Sequence, residues 1–243
     1  MTTWNARPAG ATNERFILAP EALQWLQIWF SPAFPTGAFS YSHGLEWLVE
    51  TAAVDDAETL FDWLEGVLRH GAARSEAVFL CTAWRQMRAR DWAALEETTV
   101  FAAALQPTAE RRIECLEQGD AFLAAVRTGW PHPDLDEFAK ICPADIPAPI
   151  AAGIAGAVHD MPLDALTVTF LQGFAAALVS AGVRLIPLGQ SDWLRILRML
   201  EPVTRNVAAE AMEADASDVG SAALLTDIAS QHHETQHARL FRS

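Results

Sequence analysis

Apolar side chains recur at helical spacing along most of this chain. In the segment LFDWLEGVL they fall at i, i+3, i+4, i+7 and i+8, on one side of a helix with 3.6 residues per turn. The stripe consists of Leu60, Trp63, Leu64, Val67 and Leu68. Asp55 or Asp56 stands just before it, where a short carboxylate can accept the free N–H groups of a first turn. The pattern predicts an amphipathic helix with an acidic N-cap.

Further segments show the same period. One follows Ser75, a candidate N-cap, and a long helix candidate begins near Thr108, where the start is uncertain because Arg111 does not complete a capping box. A third begins at Pro162, where the missing N–H costs nothing, and Gly182 is its predicted end. In a fourth, Pro202 is expected to kink or interrupt the helix.

The organisation of the chain follows from these segments. Residues 129–149 hold five prolines and predict a loop with a short helix inside one domain. No sustained alternation with period 2 and no βαβ rhythm is present. We therefore predict an all-α fold, a single-domain bundle of about ten helices over residues 21–243, after a flexible segment at residues 1–20.

Charge narrows the possible partners. The chain of 243 residues has 17 Lys and Arg against 31 Asp and Glu, a formal net charge of −14. Phosphate backbones and anionic membrane surfaces repel such a chain, so neither nucleic acid nor a membrane is an expected partner. The apolar run ALTVTFLQGFAAALVSAGV is broken by polar residues and is predicted to be a buried core helix.

The sequence contains few features that indicate a cofactor or a cellular compartment. The sequence contains no GxxxxGK[ST], GxGxxG, HExxH or GxSxG motif, so no cofactor of its own is expected. Cys81, Cys115 and Cys142 are far apart in sequence and form neither a disulfide framework nor a CxxC metal site. The first residues lack the apolar stretch of a signal peptide, and a cytoplasmic protein is expected.

The segment SPAFPTGAFSYSHGLEW, residues 31–47, gathers side chains that could act in catalysis. They are Ser40, Tyr41, Ser42, His43 and Glu46. A Ser–His–Glu triad is disfavoured, because catalytic partners normally come from different elements. Gly37 and Gly44 indicate special backbone angles or the close approach of another chain. Glu46 is most simply an acid in the first turn of a helix.

The segment QHHETQHARLFRS offers a candidate metal site. His233 and His237 are four residues apart, which would place both rings on one helical face for zinc or nickel, with His232 and Glu234 nearby. A closed site needs three or four ligands, so the alternative is a polar helix end that faces solvent. A helical metal-binding protein or enzyme that uses His232, His233 and His237 is the alternative function.

Two other segments have compositions typical of interfaces. The segment EALQWLQIWF is apolar nearly all round, and part of its surface, including Trp25 and Trp29, is expected to lie in the core or at a subunit interface. The segment ARLFRS sets Arg239 and Arg242 around a Leu–Phe pair, and Arg and Phe are enriched at interfaces. We expect this tail to become ordered when it docks and to contribute little to the free core.

Three segments carry a resemblance to a known family. SPAFPTGAFSYSHGLEW resembles the N-terminal signature of the urease accessory protein UreF family. GVRLIPLGQSD resembles the segment before its penultimate helices, and DIASQHHETQHARLFRS resembles its C-terminal signature. The order and spacing are those of the family, and the resemblance covers roughly residues 20–243.

The resemblance implies an all-α homodimer without catalytic activity. Such a protein is a scaffold that binds UreD (UreH in some organisms) and recruits the GTPase UreG. The assembly delivers nickel to the urease apoprotein, with nickel and GTP carried by the partners. The HHE run has one His more than the family pattern, which leaves a transient nickel contact open.

The resemblance also implies partner-binding residues. Positions matching the two signatures are Gly37, Phe39, Ser42, Gly44, Leu45, Glu46, Arg239, Leu240 and Phe241, and neighbouring Tyr41, His43 and Arg242 join the candidates. We expect Phe39 and Tyr41 near the tail, where they would form a recruiting surface.

Overall fold

Helices make up nearly all of the regular structure. The computed structural model describes residues 18–142 and 144–243, and within them eleven α-helices and two short 3₁₀ helices occur without any strand. The α-helices are α1 (Pro20–Trp29), α2 (Leu45–Glu50), α3 (Ala57–His70), α4 (Ala72–Ala89), α5 (Trp92–Ala104), α6 (Ala109–Gly129), α7 (Pro133–Ile141), α8 (Ala148–Val158), α9 (Leu163–Leu185), α10 (Gln190–Glu213) and α11 (Leu224–His233). The predicted all-α class is confirmed. The predicted flexible segment lies outside the described residues except at 18–20, and Pro20 already begins α1.

The core is built around α4 and α8. Helix α8 has the sequence APIAAGIAGAV, and its residues from Pro149 to Ala157 are all buried. Small side chains let neighbouring backbones come close, and α8 packs against α4, α6 and α9. Around this centre, α3, α9 and α10 pack on the other sides of α4.

Several helix features predicted from the sequence are confirmed. All five residues of the stripe between Leu60 and Leu68 are buried, and Asp56 caps α3 by accepting the N–H of Thr59. The start of α6, left uncertain by the sequence, is decided by Thr108, which caps the helix through the N–H of Arg111. Helix α7 is the predicted short helix in the proline-rich stretch.

Two other boundary predictions are wrong, and the prediction that Pro202 would kink or interrupt its helix is wrong for the interruption. Helix α4 begins at Ala72, so Ser75 lies inside it, and the Ser75 hydroxyl donates to the carbonyl of Gly220 at 2.8 Å. Helix α9 runs past Gly182, which packs against Leu60, and ends at Leu185. Helix α10 continues through Pro202 from Gln190 to Glu213. In each case tertiary packing outweighs the local signal.

The most apolar segments predicted from the sequence, α1 and α9, both pack against the bundle. Trp29 is buried, with Phe122 and Trp130 edge-on to its ring at 6.0 and 5.7 Å between centroids. Helix α9 is long and apolar enough to cross a membrane by length and composition, and half of its apolar window is buried. Because α9 packs on α3, α4, α8 and α10, its position matches the predicted core helix.

Candidate partner-binding site

The loop between α1 and α2 depends on two glycines. Gly37 and Gly44 have φ angles of 74° and 77°, a left-handed conformation that L side chains rarely adopt. A Cβ on Gly44 would lie 2.6 Å from the backbone nitrogen of Ser230 in α11, whereas a Cβ on Gly37 would meet nothing within 4 Å. The expected special backbone angles are confirmed. The backbone that approaches Gly44 belongs to this same chain and not to another chain.

The tail, residues 239–243, runs alongside this loop. The backbone N–H of Arg242 donates to the carbonyl of Ser40 at 2.8 Å, and the N–H of Ser42 donates to the carbonyl of Ser243 at 2.7 Å. The Ser42 hydroxyl donates to the same carbonyl. The guanidinium of Arg242 lies 5.3 Å from the centre of the Tyr41 ring. The two signature segments, far apart in sequence, therefore form one unit, which we call the loop–tail unit (residues 37–46 and 239–243).

Glu46 holds the tail by its backbone. The carboxylate accepts the N–H of Leu240 at 2.6 Å and the N–H of Phe241 at 2.9 Å. Its Oε2 atom also lies 3.3 Å from the Nε2 of His233. Glu46 does lie in the first turn of α2, but its 8% exposure and these bonds show a larger role than that of a first-turn acid. Hydrogen bonds to a charged acceptor are among the strong ones.

Helix α6 presents three carboxylates to the loop–tail unit. Glu110, Glu114 and Glu117 are spaced i, i+4, i+7, so they share one face of the helix. Glu110 pairs with Arg239, and Glu114 accepts the hydroxyl of Ser243 at 2.7 Å. None of the three was among the candidates drawn from the sequence. Their helical spacing was the available signal, but nothing local shows that the tail arrives at this face.

Glu117 joins the loop to the tail. It accepts the Tyr41 hydroxyl at 2.7 Å and the Arg242 guanidinium at 2.7 Å. Hydrogen bonds from Arg242 and Tyr41 lower the pKa of Glu117. Burial, together with the bond to Glu117, raises the pKa of Tyr41, so this phenol stays protonated and donates.

A buried ionic cluster lies beneath the unit. Arg111 pairs with Glu114 and, at 3.2 Å, with Glu76, while the Nε2 of His43 lies 2.9 Å from Glu114. Burial alone would raise the pKa of Glu114, but Arg111 and His43 outweigh it and the pKa falls to about 2. Burial raises the pKa of Glu76 to about 7 against the opposing effect of Arg111. Burial and then Arg111 lower the pKa of His43, which leaves its ring neutral at pH 7.

The tail is more integrated than its composition predicts. Phe241 is 4% exposed, and the Arg184 guanidinium of α9 lies 4.4 Å from the centre of its ring. Ser243 is fully buried. The expectation that the tail contributes little to the core is therefore wrong, because its apolar and polar groups are satisfied by α2, α6 and α9. Leu240, at 65%, and Phe39, at 68%, are exposed beside it.

The Ser–His–Glu candidates do not form a catalytic triad. Ser42 is hydrogen-bonded to the tail carbonyl, His43 faces Glu114, and Glu46 accepts backbone amides. The nucleophile–base contact that a triad needs does not occur among them. Their polar atoms hold the loop–tail unit together.

The histidine segment also differs from its prediction. Helix α11 ends at His233, so His237 lies beyond it and the i, i+4 geometry of a metal pair does not arise. His233 does not face solvent but is fully buried, with its Nδ1 2.7 Å from Glu110, while His232 stacks on Trp47 at 4.6 Å. Within residues 18–142 and 144–243 no group of three or more His, Cys, Asp or Glu side chains is arranged to hold a metal ion.

Comparison with known proteins identifies the family. A family model described as UreF matches residues 54–201, more than half of the chain. The chain belongs to the UreF family. A protein of Rhodopseudomonas palustris named "Urease accessory protein UreF" is 46% identical over 222 residues, covering 91% of each chain. Proteins of the same name from a Bradyrhizobium species and from Xanthobacter autotrophicus are 45% and 42% identical, the second over 97% of this chain and 96% of its own.

The similarity extends beyond the range of the family model. Residues 54–201 contain neither the loop nor the tail, whereas an alignment over 97% of the chain includes the loop at residues 31–47. The family resemblance drawn from the three sequence segments is therefore confirmed.

Proposed function

We propose that this UreF family member is a non-enzymatic scaffold in urease maturation. It bridges UreD (UreH) and the GTPase UreG, so that the assembly inserts nickel into the urease apoprotein in a GTP-dependent step. Nickel and GTP are carried by the partners. The observation that carries the proposal is the similarity to urease accessory proteins over nearly the whole chain.

The loop–tail unit is the proposed recruiting surface. It displays Phe39 and Leu240, both more than half exposed, next to the charged side chains of Arg239 and Arg242. Exposed apolar groups flanked by arginines are typical of interface hot spots. The buried members of the unit, such as Ser42, His43 and Glu46, shape this surface from below. Large exposed apolar groups on a rigid base can bind without paying to order a flexible segment.

We also propose a cytoplasmic homodimer. The described cysteines, Cys81, Cys115 and Cys142, are all free, as is usual in a reducing compartment. Further apolar side chains are exposed on α11, among them Leu224, Leu225 and Ile228, and this surface is available to a second subunit.

A co-purification experiment tests the recruiting surface. The double variant Phe39→Ser/Leu240→Ser is expressed with UreD, UreG and the urease subunits, and complex recovery and urease activity are measured. We expect recovery to fall at least tenfold, because both anchors lose their apolar contacts. Val100→Ser is the matched control, since Val100 is 65% exposed on α5, a helix that contributes nothing to the loop–tail unit.

Two different outcomes of this experiment would contradict the recruiting surface and the scaffold role. Full recovery with the double variant would show that the recruiting surface lies elsewhere. If the unaltered protein recovered none of the three partners, and its absence left urease activity unchanged, the scaffold role itself would be wrong.

A further inference from the structure

The side chain of His233, at the end of α11, lies between two carboxylates from other helices. Its Nδ1 is 2.7 Å from Oε2 of Glu110 on α6, and its Nε2 is 3.3 Å from Oε2 of Glu46 on α2. The ring has no exposed surface, and the side chains of Glu46 and Glu110 are only 10% and 16% exposed. Each ring nitrogen therefore has a carboxylate, and not water, as its partner.

The same two carboxylates hold the tail. Glu46 accepts the backbone N–H groups of Leu240 and Phe241. Oε1 of Glu110 accepts the guanidinium of Arg239. Three consecutive tail residues are thus bound by the two side chains between which the histidine ring lies.

The hydrogen bonds of this site require a proton that a neutral ring does not have. A neutral imidazole has one N–H donor and one acceptor, whereas both neighbouring carboxylates act as acceptors towards the tail. Only a ring with an N–H on both nitrogens donates in both directions. Without the second proton, a nitrogen lone pair faces a carboxylate oxygen in a buried site, which is unfavourable.

The charges in contact with the ring balance only when it is protonated. Glu46 from α2 and Glu110 from α6 supply two negative charges, and Arg239 from the tail supplies one positive charge. On α11 itself, Glu234 is exposed to solvent and accepts the backbone N–H of Glu110 at 3.2 Å. A protonated ring brings the group of four to zero, whereas a neutral ring leaves one negative charge without compensation.

We propose that His233 is a positioning residue for the tail, and that the docked tail requires a proton at this site. The protonated ring fixes both carboxylates where their oxygens meet the tail, and loss of the proton releases it. A free imidazole loses its proton near pH 6.5, so docking above about that pH takes up a proton and weakens as the pH rises. This property belongs to the chain itself and is independent of the proposed role in urease maturation.

Amide exchange of the tail measures docking on the purified full chain. The protection of Leu240 and Phe241, relative to an unstructured peptide at the same pH, is followed from about pH 6.5 to 8.5, above the ordinary titration of histidine. We expect it to fall by about fivefold or more, with a slope of at most about tenfold per pH unit, the limit for one proton. Protection that stays constant or rises over this range would overturn the proposal.

A pair of histidine variants assigns the pH dependence to one ring. Gln is neutral and cannot gain a proton, so His233→Gln should lower the protection at pH 6.5 by about tenfold and leave it nearly independent of pH. His237→Gln is the matched control, because His237 is exposed beyond the end of α11, and it should keep the profile of the unaltered protein. An unchanged profile in His233→Gln, or the same change in both variants, would contradict the assignment.

Two carboxylate variants decide the question if His233→Gln does not fold. In Glu110→Gln the new amide N–H can donate to a neutral ring, so the fall in protection should shrink to less than about twofold, although Arg239 loses its ion pair. Burial raises the pKa of Glu76 to about 7, within the same range, and Glu76→Gln should nevertheless retain most of the fall. A flat profile in Glu76→Gln with a steep one in Glu110→Gln would assign the proton to the buried ionic cluster and overturn the proposal.

Discussion

At the scale of the residue, two adjacent tail positions have opposite environments. Phe241 is 4% exposed beneath Arg184, while Leu240 is 65% exposed, although both backbone N–H groups are held by Glu46. The chain bends at these two positions, and the packing of the bend against the body buries one side chain and leaves the other in solvent. Composition alone marks both as interface residues and cannot show which one is already buried.

This contrast predicts different effects of two similar substitutions. Phe241→Ala should lower the free energy of unfolding by about 3 kcal/mol, because it removes a buried ring and leaves a cavity. Leu240→Ala should change it by less than about 0.5 kcal/mol, as is usual for exposed positions. Urea denaturation followed by circular dichroism measures both. Equal effects of the two would mean that the tail does not pack as described.

At the scale of the element, α2 and α11 meet through Gly44. The left-handed angle disfavours a Cβ at this position, and the nearby backbone of Ser230 leaves no room for one. Gly37 has nearly the same φ angle but open space around it. The sequence marked both glycines as special, but only the packing of α11 distinguishes them.

Substitutions at Gly37 and Gly44 allow the cost of backbone strain to be separated from the cost of steric contact. Gly37→Ala should cost about 1 kcal/mol from backbone strain alone. Gly44→Ala should cost more than about 2 kcal/mol, since α11 must also move away from α2. Thermal unfolding measures the stabilities, and faster amide exchange at Ser230 in Gly44→Ala would report the displaced helix. If the two variants lost the same stability, the close approach would be unimportant.

The acidic face of α6 shows where prediction from sequence ends. A long helix is predictable here, although its start is not, and the spacing of Glu110, Glu114 and Glu117 puts them on one face. Their partners Arg239, Arg242 and Ser243 are more than a hundred residues away. A local pattern contains no information about which distant segment will cover a helix face.

At the scale of the whole molecule, the buried cluster makes stability depend on pH in two opposite ways. Glu114 has its pKa lowered from 4.5 to about 2, so its stabilisation is present above pH 4.5 and is lost as the pH falls towards 2. Glu76 has its pKa raised from 4.5 to about 7, so the folded chain binds this proton more tightly. Its effect is a loss of stability as the pH rises from 4.5 to 7.

We therefore expect the two carboxylates together to contribute most near pH 4.5 and less towards neutrality, whereas His43, whose pKa is lowered from 6.5, opposes this decline because its ring gains a proton on unfolding. Glu76→Gln should flatten the decline between pH 4.5 and 7, because a neutral amide cannot lose a proton there, although Arg111 and Glu114 still face it. Urea denaturation at several pH values measures the slope. The exposed Glu97→Gln on α5 is the control and should keep the slope of the unaltered protein. An unchanged slope in Glu76→Gln would show that Glu76 does not titrate in this range.

The sequence by itself determined the helical class, most helix positions and the family, because apolar period, caps and signature segments are local properties of the chain. Only the tertiary structure decided the roles of its polar residues. Ser42, His43, Glu46 and His233 suggest catalysis or metal binding when read locally. Ser42 and Glu46 instead hold the tail that folds back from the far end of the sequence, and the two histidines contact carboxylates that bind it. The physical reason is that a polar group acts through its partner, and here the partners are brought together by packing.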